Sequence, residues 1–133
     1  MKLASVSLPT LLAVVAALAG CASGGYHYSQ LDGHRYFRSS IDTHSVQIVR
    51  VDGKDSVFSP VLVEPGQRKV TVQGPPTPTS RYGDERTIEL SVAPCTRYYL
   101  VAVKDNRFSN DFTVKVDYQE PVGGCTPPLV ATK

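Results

Sequence analysis

Three cysteines, three histidines and a scatter of carboxylates are the residues of this chain best suited to chemistry. Thiols such as those of Cys21, Cys95 and Cys125 can be acylated, paired, metallated or used in redox exchange. No Cys-x-x-Cys spacing occurs, and no histidine stands beside Cys95 or Cys125, so a redox or metal-bound pair has little support. His27, His34 and His44 are seven and ten positions apart, which fits no single helical face, and the nearby carboxylates are Asp32 and Asp42. No metal site is expected from them. A Ser-His-Asp set can be drawn from His44, Asp42 and a serine, but these are three common residue types in a loop-rich stretch. Paired carboxylates can be drawn from Asp84, Glu85 and Glu89, but two of these fall in an expected loop and the third on the wet face of a strand. There is no Gly-x-Ser-x-Gly elbow, no phosphate-cradling glycine loop and no His-Glu-x-x-His. The expectation is a protein that is not an enzyme and carries no cofactor.

Cys21 has a more specific setting. Lys2 is a short positive start, Leu11 to Ala17 is an apolar run, and small residues lead into the cysteine. That is the layout of an export signal, too short for a comfortable membrane span. Leu18-Ala19-Gly20-Cys21 resembles the lipobox of bacterial lipoproteins, and the resemblance covers about the first 21 residues. It implies that residues 1–20 are a signal helix cut away between Gly20 and Cys21. It further implies a diacylglycerol on the Cys21 thiol and an acyl chain such as palmitate on the new amine. More than one chain is needed, because each buried CH₂ adds only about 0.8 kcal/mol and a single chain anchors marginally. Ala22, where an aspartate would favour inner-membrane retention, implies by the same resemblance the outer membrane. Membrane lipid is then one partner, held through Cys21.

Removing residues 1–20 takes away Lys2 and leaves 113 residues with thirteen basic and twelve acidic side chains. That is the size of one domain. The charge is too even to gather nucleic acid, and no basic run interleaves with aromatics. With Cys21 assigned to lipid, Cys95 and Cys125 remain as an even pair in an oxidising compartment, expected to form one structural disulfide.

Residues 21–44 read as a tether or irregular lead-in, with Ser/Gly flexibility at its start and an unusual number of aromatics. From residue 45 the apolar period becomes two. Ser45 to Val51 is strand-like and runs into Asp52-Gly53, a strong signal for a tight hairpin. Ser56-Val57-Phe58 is the expected return strand. Glu64-Pro65-Gly66-Gln67 is a second turn, and Lys69 to Gln73 alternates polar and apolar. Val51, Asp52, Gly53, Val63, Pro65, Gly66, Val70 and Val72 resemble a PEGA-type repeat over about 30 residues, with Gln67-Arg68 in place of the usual aromatic or histidine. That resemblance implies a small extracytoplasmic β-module.

Three prolines in Gly74 to Ser80 exclude a central strand and predict a stiff loop. Thr87 to Val92 alternates cleanly, with Ile88, Leu90 and Val92 inward. Arg97 to Lys104 is apolar on both faces and reads as the central strand. Phe112, Val114, Val116 and Tyr118 are expected inward on the last strand, and Gly123-Gly124 returns Cys125 to the turn at Cys95. Residues 126–133 read as a tail.

The expected fold is all-β: a single antiparallel β-sandwich of about six or seven strands over residues 45–125, transthyretin- or immunoglobulin-like in outline. The expected role is a non-catalytic accessory or assembly protein of the cell envelope, anchored to the outer membrane with its domain in the periplasm and bound to an envelope protein. The second expectation is a peptidoglycan- or glycan-binding module. The chain has no tryptophan, so Tyr26, Tyr28, Tyr36 and Tyr82 are its candidate ligand contacts.

Overall fold

In a computed structural model of the chain, residues 26–127 are described. The signal segment, Gly20, Cys21 and the end of the tail lie outside them. Nine strands form two sheets that face each other across one apolar core. The all-β sandwich expected from the alternating segments is the observed fold.

The first sheet is built on β8 (Thr96–Val103). On one side β8 pairs antiparallel with β9 (Thr113–Pro121). On the other it pairs with two short strands in succession, β1 (Ser29–Asp32) and β2 (Thr43–Ser45). β5 (Val61–Val63) closes that side by pairing with β1. The second sheet has the order β4 (Lys54–Asp55), β3 (Gln47–Val51), β6 (Gly66–Gln73), β7 (Glu85–Val92). Tyr98, Leu100 and Ala102 of β8 pack with Leu31, Val61 and Val63 against Ile48, Val70, Val72 and Val92 of the facing sheet. Val101, on the other face of β8, is buried as well, which is why that strand reads as apolar throughout.

The hairpin signal is met closely. Asp52 and Gly53 both have positive φ, 49° and 80°, and join β3 to β4 through a tight turn. Asp52 is fixed there by the Lys69 N–H, which donates to its Oδ1 at 2.9 Å, and by Arg68 at 3.1 Å. β6 alternates as its sequence does. Val70 and Val72 are fully buried, and Thr71 on the other face shares a 2.8 Å hydroxyl bond with Thr87.

Four features depart from the sequence reading. The described residues form nine strands rather than six or seven. The return strand of the first hairpin is Lys54–Asp55, leaving Ser56 to Phe58 outside it with Val57 and Phe58 exposed. β1 falls inside the segment read as lead-in and is one of the best buried strands, and its pairing with β8 is parallel. Tyr118 faces away from the core, and Val116, also expected inward, is exposed. A register shift between Tyr99 and Leu100 leaves Asp117 unmatched, so Tyr118 opposes Tyr99 on the outer face while Val114 keeps its core contact.

The disulfide expected between Cys95 and Cys125 is present, with Cα atoms 5.6 Å apart. It closes the end of the sandwich where the described chain begins. There the Thr126 N–H donates to the Tyr26 carbonyl at 2.8 Å and the Val122 N–H to that of Cys95 at 2.8 Å. The loops 33–42, 74–84 and 104–112 gather at the opposite end, where the Lys104 N–H meets the Asp42 carbonyl at 3.0 Å.

Candidate functional site

Among the described residues, the ion-paired carboxylate that is almost fully buried lies on the outer face of the first sheet. Asp32, the last residue of β1, stands beside Tyr99 on β8 in parallel register. Its carboxylate is almost fully buried, and it is bonded by Arg97, by the His34 ring through Nδ1 at 2.7 Å and by the His34 N–H at 2.9 Å. Arg97 lies over the Tyr99 ring at 5.0 Å, and its Nε is buried with no hydrogen-bond partner. The Tyr99 hydroxyl donates to Glu120 at 2.8 Å. Burial pushes the Asp32 carboxyl up, but the bonds from Arg97 and His34 outweigh it and hold the group below its ordinary value. Burial and the Glu120 bond raise the Tyr99 phenol.

The ion pair has a consequence for acid stability. A carboxyl lowered on folding adds stability above its unfolded pKa and loses it as pH falls through the folded one. Asp32→Asn should therefore cost about 1–3 kcal/mol at pH 7, and the gap to the parent should narrow below about pH 4. Urea midpoints at pH 7 and pH 3 measure this; a gap that stays constant would mean the pair contributes nothing specific.

An aromatic group adjoins the ion pair. Tyr36 stacks on Tyr118 at 4.0 Å and 17°, with Phe37 edge-on to both rings and Tyr99 tilted against Tyr36 at 5.1 Å. The Phe37 N–H donates to Asp117 at 3.3 Å, pinning this segment to β9. Tyr118 raises the Tyr36 phenol above its usual range. Tyr36 and Phe37 remain about half exposed.

The four tyrosines nominated by sequence do not share one platform. Tyr26 and Tyr28 make an edge contact at 6.0 Å near the disulfide, and the Tyr26 hydroxyl accepts from Gln30. Tyr36 belongs to the cluster on the outer face. Tyr82 stands exposed in the proline-rich loop. Phe37, Tyr99 and Tyr118 were missed as partners of Tyr36. Their shared face depends on the bulge at Asp117, and the alternation of β9 gives the opposite answer.

The Ser-His-Asp set drawn around His44 is not brought together. Among the described residues no hydrogen bond joins His44 to a serine. The aspartate-held imidazole is His34 instead; its side chain is 75% exposed, and no hydroxyl nucleophile bonds to it among the described residues. No group of three or more histidine, cysteine or acidic residues positioned to hold a metal occurs among the described residues.

No family model matches this chain, no curated protein matches it, and no solved structure matches it. The lipoprotein and PEGA-like resemblances rest on their own residues.

A second feature lies at the side of the sandwich, where both sheets end. β5 and β4 are terminal strands of their sheets, and a groove of about 880 Å³ runs between them. Val61 and Val63 lie on its core side, and Phe58 and Leu62 stand on its rim at 78% and 51% exposure. Val57 beside them is 87% exposed.

Proposed function

We propose that the protein is an envelope lipoprotein, anchored through Cys21, whose domain is a non-catalytic assembly partner. The observation that carries this reading is the side groove. Large apolar side chains at Val57, Phe58 and Leu62 stand in water next to a strand, β5, whose outer edge is unpaired among the described strands. Such patches on small domains mark contact surfaces, and a free edge offers backbone donors and acceptors to an extended segment of a partner. The partner that suits it is an envelope protein presenting an extended strand with alternating apolar side chains. The described chain begins at the disulfide end, which leaves the loop end on the far side of the domain from a tether there. By the lipobox resemblance the anchor is in the outer membrane; the domain facing the periplasm belongs to this proposal.

A photo-crosslinking residue in place of Phe58 tests the reading in cells, with Glu89→photo-crosslinker as a control on the exposed face of β7. The expected result is one envelope protein captured in near-equal amount from position 58 and not from 89. Cys21→Ser should move the protein, and its adduct, out of the membrane fraction. Equal labelling from both positions would sink the assembly reading, and persistence in membranes after Cys21→Ser would sink the anchor.

The glycan-binding reading retains one favourable observation. Tyr36 and Phe37 present half-exposed rings beside the carboxylates Asp117 and Glu120, a surface able to stack on a sugar ring and accept its hydroxyls. Recovery of glycan strands in place of a protein would transfer the function to that face.

A further inference from the structure

The loop end of the sandwich holds a cleft of about 480 Å³ between the proline-rich loop and the start of the second sheet. Arg35, His44, Gln47, Gln73, Arg81 and Tyr82 line it, and no carboxylate does. In a domain of nearly even charge, that is a local excess of one sign. The elements that place these groups are firm. His44 and Gln47 sit on β2 and β3, and Gln73 ends β6. Gly83 lets the proline loop close tightly, since a Cβ there would lie 2.1 Å from the Gly74 oxygen. The neck is then tied by the Gly74 N–H to the Asp84 carbonyl at 2.9 Å.

The two arginines differ in commitment. Arg35 is held in position through the Thr43 carbonyl at 3.0 Å and the Ser40 carbonyl at 3.3 Å. Arg81 makes no hydrogen bond or ion pair among the described residues, so its planar fork is free. Gln47 and Gln73 add amide donors, and Tyr82 is 70% exposed at the rim.

We propose that this cleft binds a phosphomonoester, with Arg81 and Arg35 gripping the phosphate and Tyr82 stacking on the group that carries it. A phosphomonoester has close to two negative charges at neutral pH and three acceptor oxygens, which match two guanidiniums and neighbouring amides. Burial lowers the His44 pKa, Lys104 and Arg35 lower it further, and Asp42 opposes them. Arg81 lines the same cleft. An anion entering here offsets those cations, so His44 takes up a proton on binding. The same phosphate chemistry occurs in a soluble sugar phosphate and in a lipid headgroup. The site is independent of how the chain is anchored.

The test uses the full chain in neutral detergent, with the ring signals of His27, His34 and His44 followed by NMR through pH titrations. Glucose 1-phosphate is the soluble probe, glucose its neutral control, and phosphatidic acid in phosphatidylcholine vesicles the headgroup probe. The expected result is that a phosphate probe raises the titration midpoint of His44 alone, and that Arg81→Gln weakens binding about tenfold or more. Arg81 has no hydrogen bond or ion pair to lose among the described residues, so its variant should fold, with a melting temperature that confirms it. Arg107→Gln, in a different loop, should bind as the parent does. A response to glucose 1-phosphate supports a soluble ester, and a response to phosphatidic acid alone supports a headgroup. Silence of His44 toward both probes, or undiminished binding by Arg81→Gln, overturns the proposal.

Discussion

Replacing both bridge cysteines, Cys95→Ser with Cys125→Ser, should destabilise the domain by roughly 3–4 kcal/mol by the loop-closure argument. The two cysteines are 30 positions apart, and the span between them contains β8 and β9. Without the bridge, the unfolded chain regains the freedom to separate the ends of that span. Serine retains a β-carbon at position 95, where φ is 51°, so the backbone constraint there is unchanged and the comparison isolates the cross-link. At about 4–6 °C per kcal/mol for a domain of this size, the melting temperature should fall by about 15 °C. Calorimetry of parent and double variant measures it, and a fall of less than about 3 °C, well under one kcal/mol on that scale, would show that the unfolded chain keeps the two ends close even without the bridge.

Leu100→Asp should abolish the folded state. Leu100 has no exposed surface and sits in the middle of β8, which is paired on both sides. An unpaired carboxylate there has no donor to meet it, and burying it costs more than a small domain of about 5–15 kcal/mol total stability can tolerate. Leu62→Asp makes the same chemical change at a half-exposed edge position, where effects usually stay within about 0.5 kcal/mol. Circular dichroism and amide shift dispersion should show a cooperative fold for Leu62→Asp and none for Leu100→Asp. A folded Leu100→Asp would remove β8 from the centre of the sheet.

The strands legible in the sequence were those whose burial is regular. β6, β7 and β8 carry their inward residues at every second position, and Asp52-Gly53 needs a positive φ that few other pairs accept. The cysteine pair was legible because the lipobox resemblance sets Cys21 apart from the other two thiols. β1 was not. Ser29-Gln30-Leu31-Asp32 has one large apolar residue and a charge, and its burial comes from partners far along the chain, at Val61 to Val63 and Arg97 to Tyr99. In the sequence Asp32 is only a carboxylate near the histidines of the lead-in, and Arg97, its partner, is 65 positions away. The cationic cleft has the same character. Arg35, His44, Gln73 and Arg81 belong to separate stretches, and only the folding of the proline loop onto the second sheet assembles them. Tyr118 was misread for a different reason, because a single unmatched residue reverses the face of everything beyond it.

The position of β1 also decides how the domain bears load. A pull that enters at Tyr26 and runs along β1 acts parallel to that strand, with β5 on one side and the lower half of β8 on the other. Both ladders are then strained in shear, so their backbone bonds must yield together instead of opening one at a time from an end. The carbonyl of Tyr26 is tied to Thr126, next to the bridge at Cys125, so part of the force passes into the cross-linked span before it reaches the core. Tension that enters at Tyr26 is therefore shared between two ladders and a covalent bridge.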